Sequence, residues 1–188
     1  MSADALSNTN PKITVLYDNC SHDSNLQEGF GFSCLVEWGH RRILFDTGGN
    51  EKAIFQNIQK LGISLNTITH LFFSHNHWDH TAAIGEITKQ IPKSAVVYIP
   101  DPFSAFLEKQ LPTDIQVQKI QYHQAIDQEV HSLVLKGRSW FTTVHEQALL
   151  LNTDKGIIVI TGCAHPGIVR IAEEAKKLLN RPIYMVLG

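Results

Sequence analysis

The chain has 188 residues, with 16 basic side chains against 18 acidic ones and a formal net charge of −2. That length, with 43% hydrophobic residues, suits one domain with a sizeable core, and the lack of any basic run removes the electrostatic footprint of a nucleic-acid binder. Three widely spaced cysteines are no disulfide framework, and no stretch reaches the ~18 apolar residues that a membrane span needs.

Met1 to Pro11 is polar and reads as a disordered lead-in, without the basic start and apolar run of a secretory signal. Together with the reducing-compartment cysteine usage, this points to the cytoplasm. A single domain over 12–188 is expected. Ile13 to Tyr17 reads as a strand, and Asp18 to Asn25 as a polar loop with turn chemistry throughout. Gly31 to Glu37 and Arg42 to Phe45 are two further strands, joined tightly through Gly39 and His40.

Asp46-Thr47-Gly48-Gly49 closes the third strand, and Asn50 caps a helix from Glu51 to Leu61. Ile54, Ile58 and Leu61 recur at helical spacing, and Gly62 stands where a left-handed C-terminal residue is wanted. A short strand, Leu71-Phe72-Phe73, then leads into Ser74-His75-Asn76-His77-Trp78-Asp79-His80-Thr81. Thr81 to Lys89 is a weaker helix, Ala95 to Ile99 a strand between two prolines, and Pro102 to Gln110 a further helix. From Ile115 to Thr143 the pattern is β-like but soft, with Val130 to Leu135 and Ser139 to Thr143 its better runs. Ala148 to Leu151 and Ile157 to Ile160 are strands around a turn at 152–156.

Thr161-Gly162-Cys163-Ala164-His165-Pro166-Gly167 precedes a helix ending at Leu179. Its expected apolar face is Ile168, Ile171, Ala172, Ala175, Leu178 and Leu179, with Glu173 and Lys177 as an i,i+4 pair. Ile183 to Leu187 is a last strand. Strands and helices alternate, yet the first three strands follow one another through tight connections. That combination argues for a layered α/β sandwich with mixed sheets, not a doubly wound parallel sheet.

The chemistry concentrates at strand ends. In an extended segment residues i and i+2 face the same way, so His75 and His77 can converge on one ion. Asp79 and His80 lie where the chain turns and can reach a second ion nearby. Two ions roughly 3.5–4 Å apart can share a hydroxide and hold a substrate oxygen. Imidazoles with one carboxylate suit Zn, Fe or Mn better than Mg or Ca, with Zn the first choice. Asp79 is the residue expected to act in catalysis as well as in ligation.

His75-Asn76-His77-Trp78-Asp79-His80, with Leu44-Phe45-Asp46-Thr47-Gly48 before it, resembles the motifs of the metallo-β-lactamase superfamily. Tyr17-Asp18-Asn19, Gly31-Phe32-Ser33, Glu146-Gln147-Ala148-Leu149 and Gly162-Cys163-Ala164-His165-Pro166-Gly167 look more narrowly like one branch of it. That branch is related to 7,8-dihydropterin-6-methyl-4-(β-D-ribofuranosyl)aminobenzene-5′-phosphate synthase. The resemblance runs over nearly the whole chain from Ile13.

It implies an αββα sandwich with two divalent metals at one sheet edge. His75 and His77 would bind the first, and Asp79 and His80 the second. His165, at a strand end, is the best remaining ligand candidate. Cys163 occupies the place where other members carry a bridging Asp or a Cys ligand; a buried inert thiol is the competing reading. Asp46 is expected to orient a ligand rather than to bind metal. Asn19 could line the pocket mouth, Trp78 is expected to pack inside the ligand loop, and His145 to be structural. In the family the last strand runs on into a Gly-Gly-Phe-His segment that completes the second metal's shell. Here the sequence ends at Gly188, so a C-terminally incomplete domain is expected.

Three functions compete on this reading. The first is a metal-dependent hydrolase that sets a metal-held hydroxide on an ester, phosphoester or related small substrate. The second is a transferase condensing a dihydropterin pyrophosphate with a ribofuranosyl-aminobenzene phosphate. The third is a non-catalytic metal-binding domain.

Overall fold

The computed structural model describes residues 10–140 and 142–188; most of the expected lead-in, residues 1–9, lies outside them. Two sheets pack face to face. The first runs in the order β1 (Lys12–Tyr17), β2 (Ser33–Trp38), β3 (Arg41–Phe45), β4 (His70–Phe72), β5 (Val96–Pro100), β6 (Gln116–Ile120). Its first three strands are antiparallel, as the tight Gly39-His40 turn requires, and β3 to β6 are parallel. The parallel part is crossed by α1 (Glu51–Lys60), then α2 (Trp78–Thr81) and α3 (Ile84–Gln90), then α4 (Ala105–Glu108). The second sheet contains β7 (His123–Ala125), β8 (Val130–Ser139), β9 (Thr142–Thr153), β10 (Gly156–Ile160) and β11 (Ile183–Leu187), in the order β11-β10-β9-β8-β7. Its outer face carries α5 (Ile168–Leu179).

Strand alternation divides the apolar residues into three layers. Phe32, Cys34, Val36, Ile43, Phe45, Phe72 and Tyr98 of the first sheet meet Val130, Val134, Leu149, Leu151, Ile158 and Ile160 of the second. The alternate residues Leu35, Leu44, Leu71, Val97 and Ile99 face Ile54, Ile58, Ile84 and Ile87 of the first helical layer. Leu133, Leu150, Ile157 and Val159 face Ile171 and Ala175 of α5. At about 1.5–3 kcal/mol per fully buried large aliphatic side chain, these layers supply the favourable side of folding. The result is an αββα sandwich.

Several local expectations need correction. Helix 81–89 is two pieces, because the ligand motif itself turns into a short helix at Trp78 and the chain restarts at Ile84. Helix 102–110 is trimmed to Ala105–Glu108. Ser139 to Thr143 is not a strand: Ser139 pairs with Thr142, so Trp140 (φ 51°) sits in the hairpin turn. High β-propensity there reflects bulky residues at a turn, where register, not propensity, decides. Ile168 is 40% exposed and does not join the buried face of α5. The ion pair on that helix is Glu174 with Lys177 at 2.8 Å, not Glu173 with Lys177.

Candidate metal centre

The site begins where β3 stops. Asp46 leaves the strand with φ 56°, a left-handed conformation that costs a non-glycine residue of order 1–3 kcal/mol and is retained mostly at functional sites. Its backbone N–H still donates to Phe72 O at 2.8 Å, which holds it beside the end of β4. The turn turns its carboxylate into the molecule, fully buried. Oδ1 accepts from Ser74 N at 2.6 Å, and Oδ2 accepts from Ser74 Oγ at 2.6 Å and from His80 Nδ1 at 2.7 Å. α2 is fastened to the same turn, since Thr47 N and Oγ1 both donate to His80 O and Ala82 N donates to Gly48 O.

These bonds determine proton positions. An ionised carboxylate only accepts, so the Ser74 hydroxyl hydrogen goes to Asp46. Ser74 Oγ then accepts from His75 Nδ1–H at 2.9 Å, leaving Nε2 of His75 as a bare lone pair. His80 Nδ1–H likewise donates to Asp46, which turns Nε2 toward Cys163 Sγ at 3.2 Å and Asp79 Oδ2 at 3.3 Å. One carboxylate thus orders an imidazole in each half of the site.

The donors form two adjoining groups. His75, His77, Cys163 and His165 offer ligand atoms all within 4.8 Å of one another, and Asp79, His80 and Cys163 do the same. His77 Nδ1 lies 3.0 Å from His75 Nε2 and 3.2 Å from His165 Nε2. Ligands about 2.0–2.1 Å from a shared tetrahedral ion sit about 3.3 Å apart, so this spacing fits a metal. It fits hydrogen bonding poorly, because His75 Nε2 has no proton and the single Nδ1 of His77 cannot satisfy both neighbours. Cys163 Sγ is 3.9 Å from Asp79 Oδ2 and belongs to both groups. The structure brings together all six sequence candidates for ligation.

Electrostatics agree with a site prepared for cations. Burial, reinforced by the neighbouring imidazoles of His80, His77 and His165, holds His75 far below the usual histidine range, so it stays neutral. Burial and His165 lower His77 as well. Burial would raise Asp79, but the hydrogen bond and charge of His80 outweigh it and keep the carboxyl low and ionised. Burial would also lower His80; the charge and hydrogen bond of Asp46, with those to Asp79 and Cys163, push it up to about 12 instead. Without a metal a proton therefore occupies the position on His80 where an ion would bind.

Two supports were not legible as such. Buried Glu146 in β9 accepts from Thr161 Oγ1 (2.9 Å), Gly162 N (3.1 Å), Ala164 N (2.8 Å) and His165 N (2.6 Å), wrapping the 161–165 loop around its carboxylate. Gln147 donates from its side chain to Phe73 O and Tyr98 O and from its backbone to Ser74 O at 2.7 Å, tying the second sheet to the ligand strand. In the sequence they stand just before the apolar run Ala148 to Leu151, in the Glu146-Gln147-Ala148-Leu149 stretch that carries the branch resemblance, which places Glu146 within reach of the site but does not state these contacts. Gly162 admits no side chain, since a Cβ there would lie 2.4 Å from Ser74 Oγ and 3.1 Å from His75 Nδ1.

Other candidates stand apart. Asn19 is exposed and its Oδ1 accepts from Gly31 N at 2.9 Å, bracing the loop that abuts Asp79 rather than reaching the donors. Trp78 does not pack inside the ligand loop. It is 63% exposed and stacks on Phe30 with centroids 6.0 Å apart, because the inward face of the four-residue α2 is taken by Asp79 and His80. His145 is half-buried on β9 opposite Lys136. Among the described residues no helix is long and apolar enough to cross a membrane.

Comparison with known proteins agrees with this geometry. A relative from Methanocaldococcus jannaschii named 7,8-dihydropterin-6-methyl-4-(beta-D-ribofuranosyl)-aminobenzene-5'-phosphate synthase is 27% identical over an alignment of 222 positions, covering 93% of this chain and 75% of the relative. The solved structure of Tm1679, described as a metal-dependent hydrolase of the beta-lactamase superfamily, superposes with a TM-score of 0.73 at 23% identity over 94% of this chain and 75% of that one. A quorum-quenching N-acyl homoserine lactone lactonase shares the fold at a TM-score of 0.56 and 16% identity, over 82% and 78% of the two chains. The family model described as the metallo-beta-lactamase superfamily matches residues 26–166, and the chain belongs to that superfamily.

Proposed function

We propose that this chain is a metal-dependent enzyme of small-molecule chemistry that hydrolyses an ester, phosphoester or related bond with two divalent ions, zinc being the first choice. The observation that carries the reading is the pair of adjoining donor groups sharing Cys163. His75, His77 and His165 would hold one ion and Asp79 and His80 the other, with Cys163 within reach of both. When bound, such a pair supplies Lewis acidity and makes water a nucleophile near neutral pH.

The chain's own residues then do three things. Asp46 and Ser74 keep Nε2 of His75 free of a proton, and Asp46 aims Nε2 of His80 inward. Glu146 holds the peptide of His165 in place through its N–H. Asp79, ionised and turning Oδ2 toward His80, would hold the second ion through that oxygen and leave its other oxygen to accept from and orient the attacking water.

A second reading, transfer of a dihydropterin group onto a ribofuranosyl-aminobenzene phosphate with loss of pyrophosphate, is supported by the 27% identical relative that carries the synthase name. The two separate by assay. Under the first reading, purified protein with two metal equivalents hydrolyses an aryl phosphodiester, thioester or lactone, and His77→Ala and Asp79→Ala abolish the turnover. Under the second there is no hydrolysis, and pyrophosphate appears only when both pterin and aryl partners are present. One metal equivalent or none, with neither activity, leaves a non-catalytic binding domain.

A further inference from the structure

Among the side chains gathered at the metal centre, His75, Asp79 and His80 are buried and His77 and His165 are half-buried, while Cys163 is exposed. The sulfur is the donor that a small solute meets first. It is also the donor that the two groups have in common. Sγ lies 3.2 Å from His80 Nε2 and 3.9 Å from Asp79 Oδ2, and its group with His75, His77 and His165 keeps every ligand atom within 4.8 Å of the others.

The backbone holds the sulfur in that place. Gly162 N and Ala164 N, on either side of Cys163, donate to Glu146 Oε1 at 3.1 and 2.8 Å, and His165 N donates to Oε2 at 2.6 Å. Ala164 is left-handed, with φ 53°, and Gly162 lies against Ser74 with no room for a Cβ. A loop clamped at three successive points around its cysteine has little freedom to move, so a chemical change at the sulfur is felt at the ions. The other two thiols stand elsewhere. Cys34 is buried in the core between the sheets, and Cys20 is exposed in the polar loop after β1.

The two ions differ in what they keep without the sulfur. His75, His77 and His165 still offer the first one three imidazoles, the number of protein ligands that hold zinc firmly in open sites. The second is left with Asp79 and His80 alone. Thiolate is also the one donor here that peroxides oxidise readily, since its reactivity follows thiolate character and exposure.

On the two-ion reading above, on which this rests, we infer that Cys163 is an oxidation site through which a hydroperoxide empties the Asp79–His80 half of the metal centre and leaves the other half loaded. The thiolate sulfur attacks the outer oxygen of the hydroperoxide. An S–O bond forms and the O–O bond breaks; the sulfur is oxidised by two electrons to a sulfenic acid. The departing oxygen takes a proton from solvent and leaves as an alcohol, or as water when the oxidant is hydrogen peroxide. The sulfur no longer serves as a thiolate ligand, and the ion with two remaining ligands dissociates. A small thiol reverses the change: one molecule displaces the sulfenic oxygen as water and forms a mixed disulfide, and a second releases the Cys163 thiol and the small disulfide.

The test counts zinc, not turnover. Zinc-loaded wild type, Cys163→Asp and Cys20→Ser are treated with hydrogen peroxide while a chromogenic chelator follows release. Retained zinc and dimedone-trapped sulfenic acid are measured on the same samples. Wild type and Cys20→Ser should each release about one of two equivalents in step with trapping at Cys163, and dithiothreitol with added zinc should restore the second. Cys163→Asp, which keeps an anionic ligand in the shared place, should hold two equivalents and release zinc at least about tenfold more slowly. Oxidation of Cys163 with both ions retained, loss of both ions together, or equal release from Cys163→Asp overturns the inference and leaves the two-ion reading standing. A wild type that binds fewer than two equivalents before any peroxide is added overturns the two-ion reading, and this inference with it.

Discussion

Asp46→Asn is the substitution with the most to say about the site, because it keeps shape and changes only charge and donor pattern. Asp46 accepts three hydrogen bonds at 2.6–2.7 Å, two from Ser74 and one from His80. An amide has one accepting oxygen and one donating NH2. If the oxygen faces Ser74 N, the NH2 meets both Ser74 Oγ and His80 Nδ1; the serine must then turn its hydrogen toward His75 Nδ1, and His80 must shift its own proton to Nε2, the atom an ion needs. If the amide flips, its NH2 opposes the N–H of Ser74. The first orientation gives both imidazoles the wrong tautomer, and the second keeps the tautomers only by setting two donors against each other in a buried site. Loss of a residue that orients ligands typically costs 10- to 100-fold in metal affinity, or about 1.4–2.7 kcal/mol, and here both halves of the site depend on one residue. Competition titration with a chromogenic zinc chelator should give weakening in that range at both ions, with the His80 half affected more. Affinities within twofold of wild type for both ions would refute the claim that Asp46 sets the proton positions.

Further outcomes follow from the same contacts. Glu146→Gln removes the charge that gathers four donors from 161–165; at about 1.5–3 kcal/mol for hydrogen bonds to a buried charge, urea unfolding should show a loss of about 2–3 kcal/mol, with reduced zinc content. Gly162→Ala puts a methyl 2.4 Å from Ser74 Oγ, so it should lower zinc content while Gly62→Ala, whose Cβ meets nothing within 4 Å but whose φ of 64° strains it, should lower stability alone. In the metal-free protein His80 is raised from 6.5 to about 12, against the pull of burial, chiefly by Asp46. A raised folded-state value stabilises fully below pH 6.5 and less as pH rises toward 12. The stability gap between chelated wild type and chelated Asp46→Asn should therefore shrink from pH 6.5 to pH 9 in thermal melts, and a gap that widens over that window would contradict the assignment.

What could be read in the chain without its fold was whatever depends on neighbours in sequence. The i, i+2 spacing of His75 and His77 states that their rings share a side, and Asn50, the Ile54/Ile58 stripe and Gly62 together spell a capped helix. The helix over 168–179 was legible from its periodicity, yet Ile168 stayed in solvent because only the second and third turns of α5 meet the sheet. Trp78 lies outside for a similar reason: its sequence neighbours place it beside the candidate donors, but not on a helix too short to bury more than one face.

Local spacing and alternation therefore determined the cluster of candidate donors and a layered α/β sandwich with mixed sheets, while the superfamily and its αββα arrangement were legible only through the resemblance those motifs carry. Which residues complete and order the site was decided only by tertiary structure. His165 Nε2 comes within 3.2 Å of His77 Nδ1 across 88 positions, and Cys163 joins His80 across 83. Asp46 reaches His80 across 34, and Glu146 reaches the His165 loop from another strand. Such contacts arise because both sheets bring their strand ends to one edge, a register that strand pairing and core packing impose together and that no short window of residues contains.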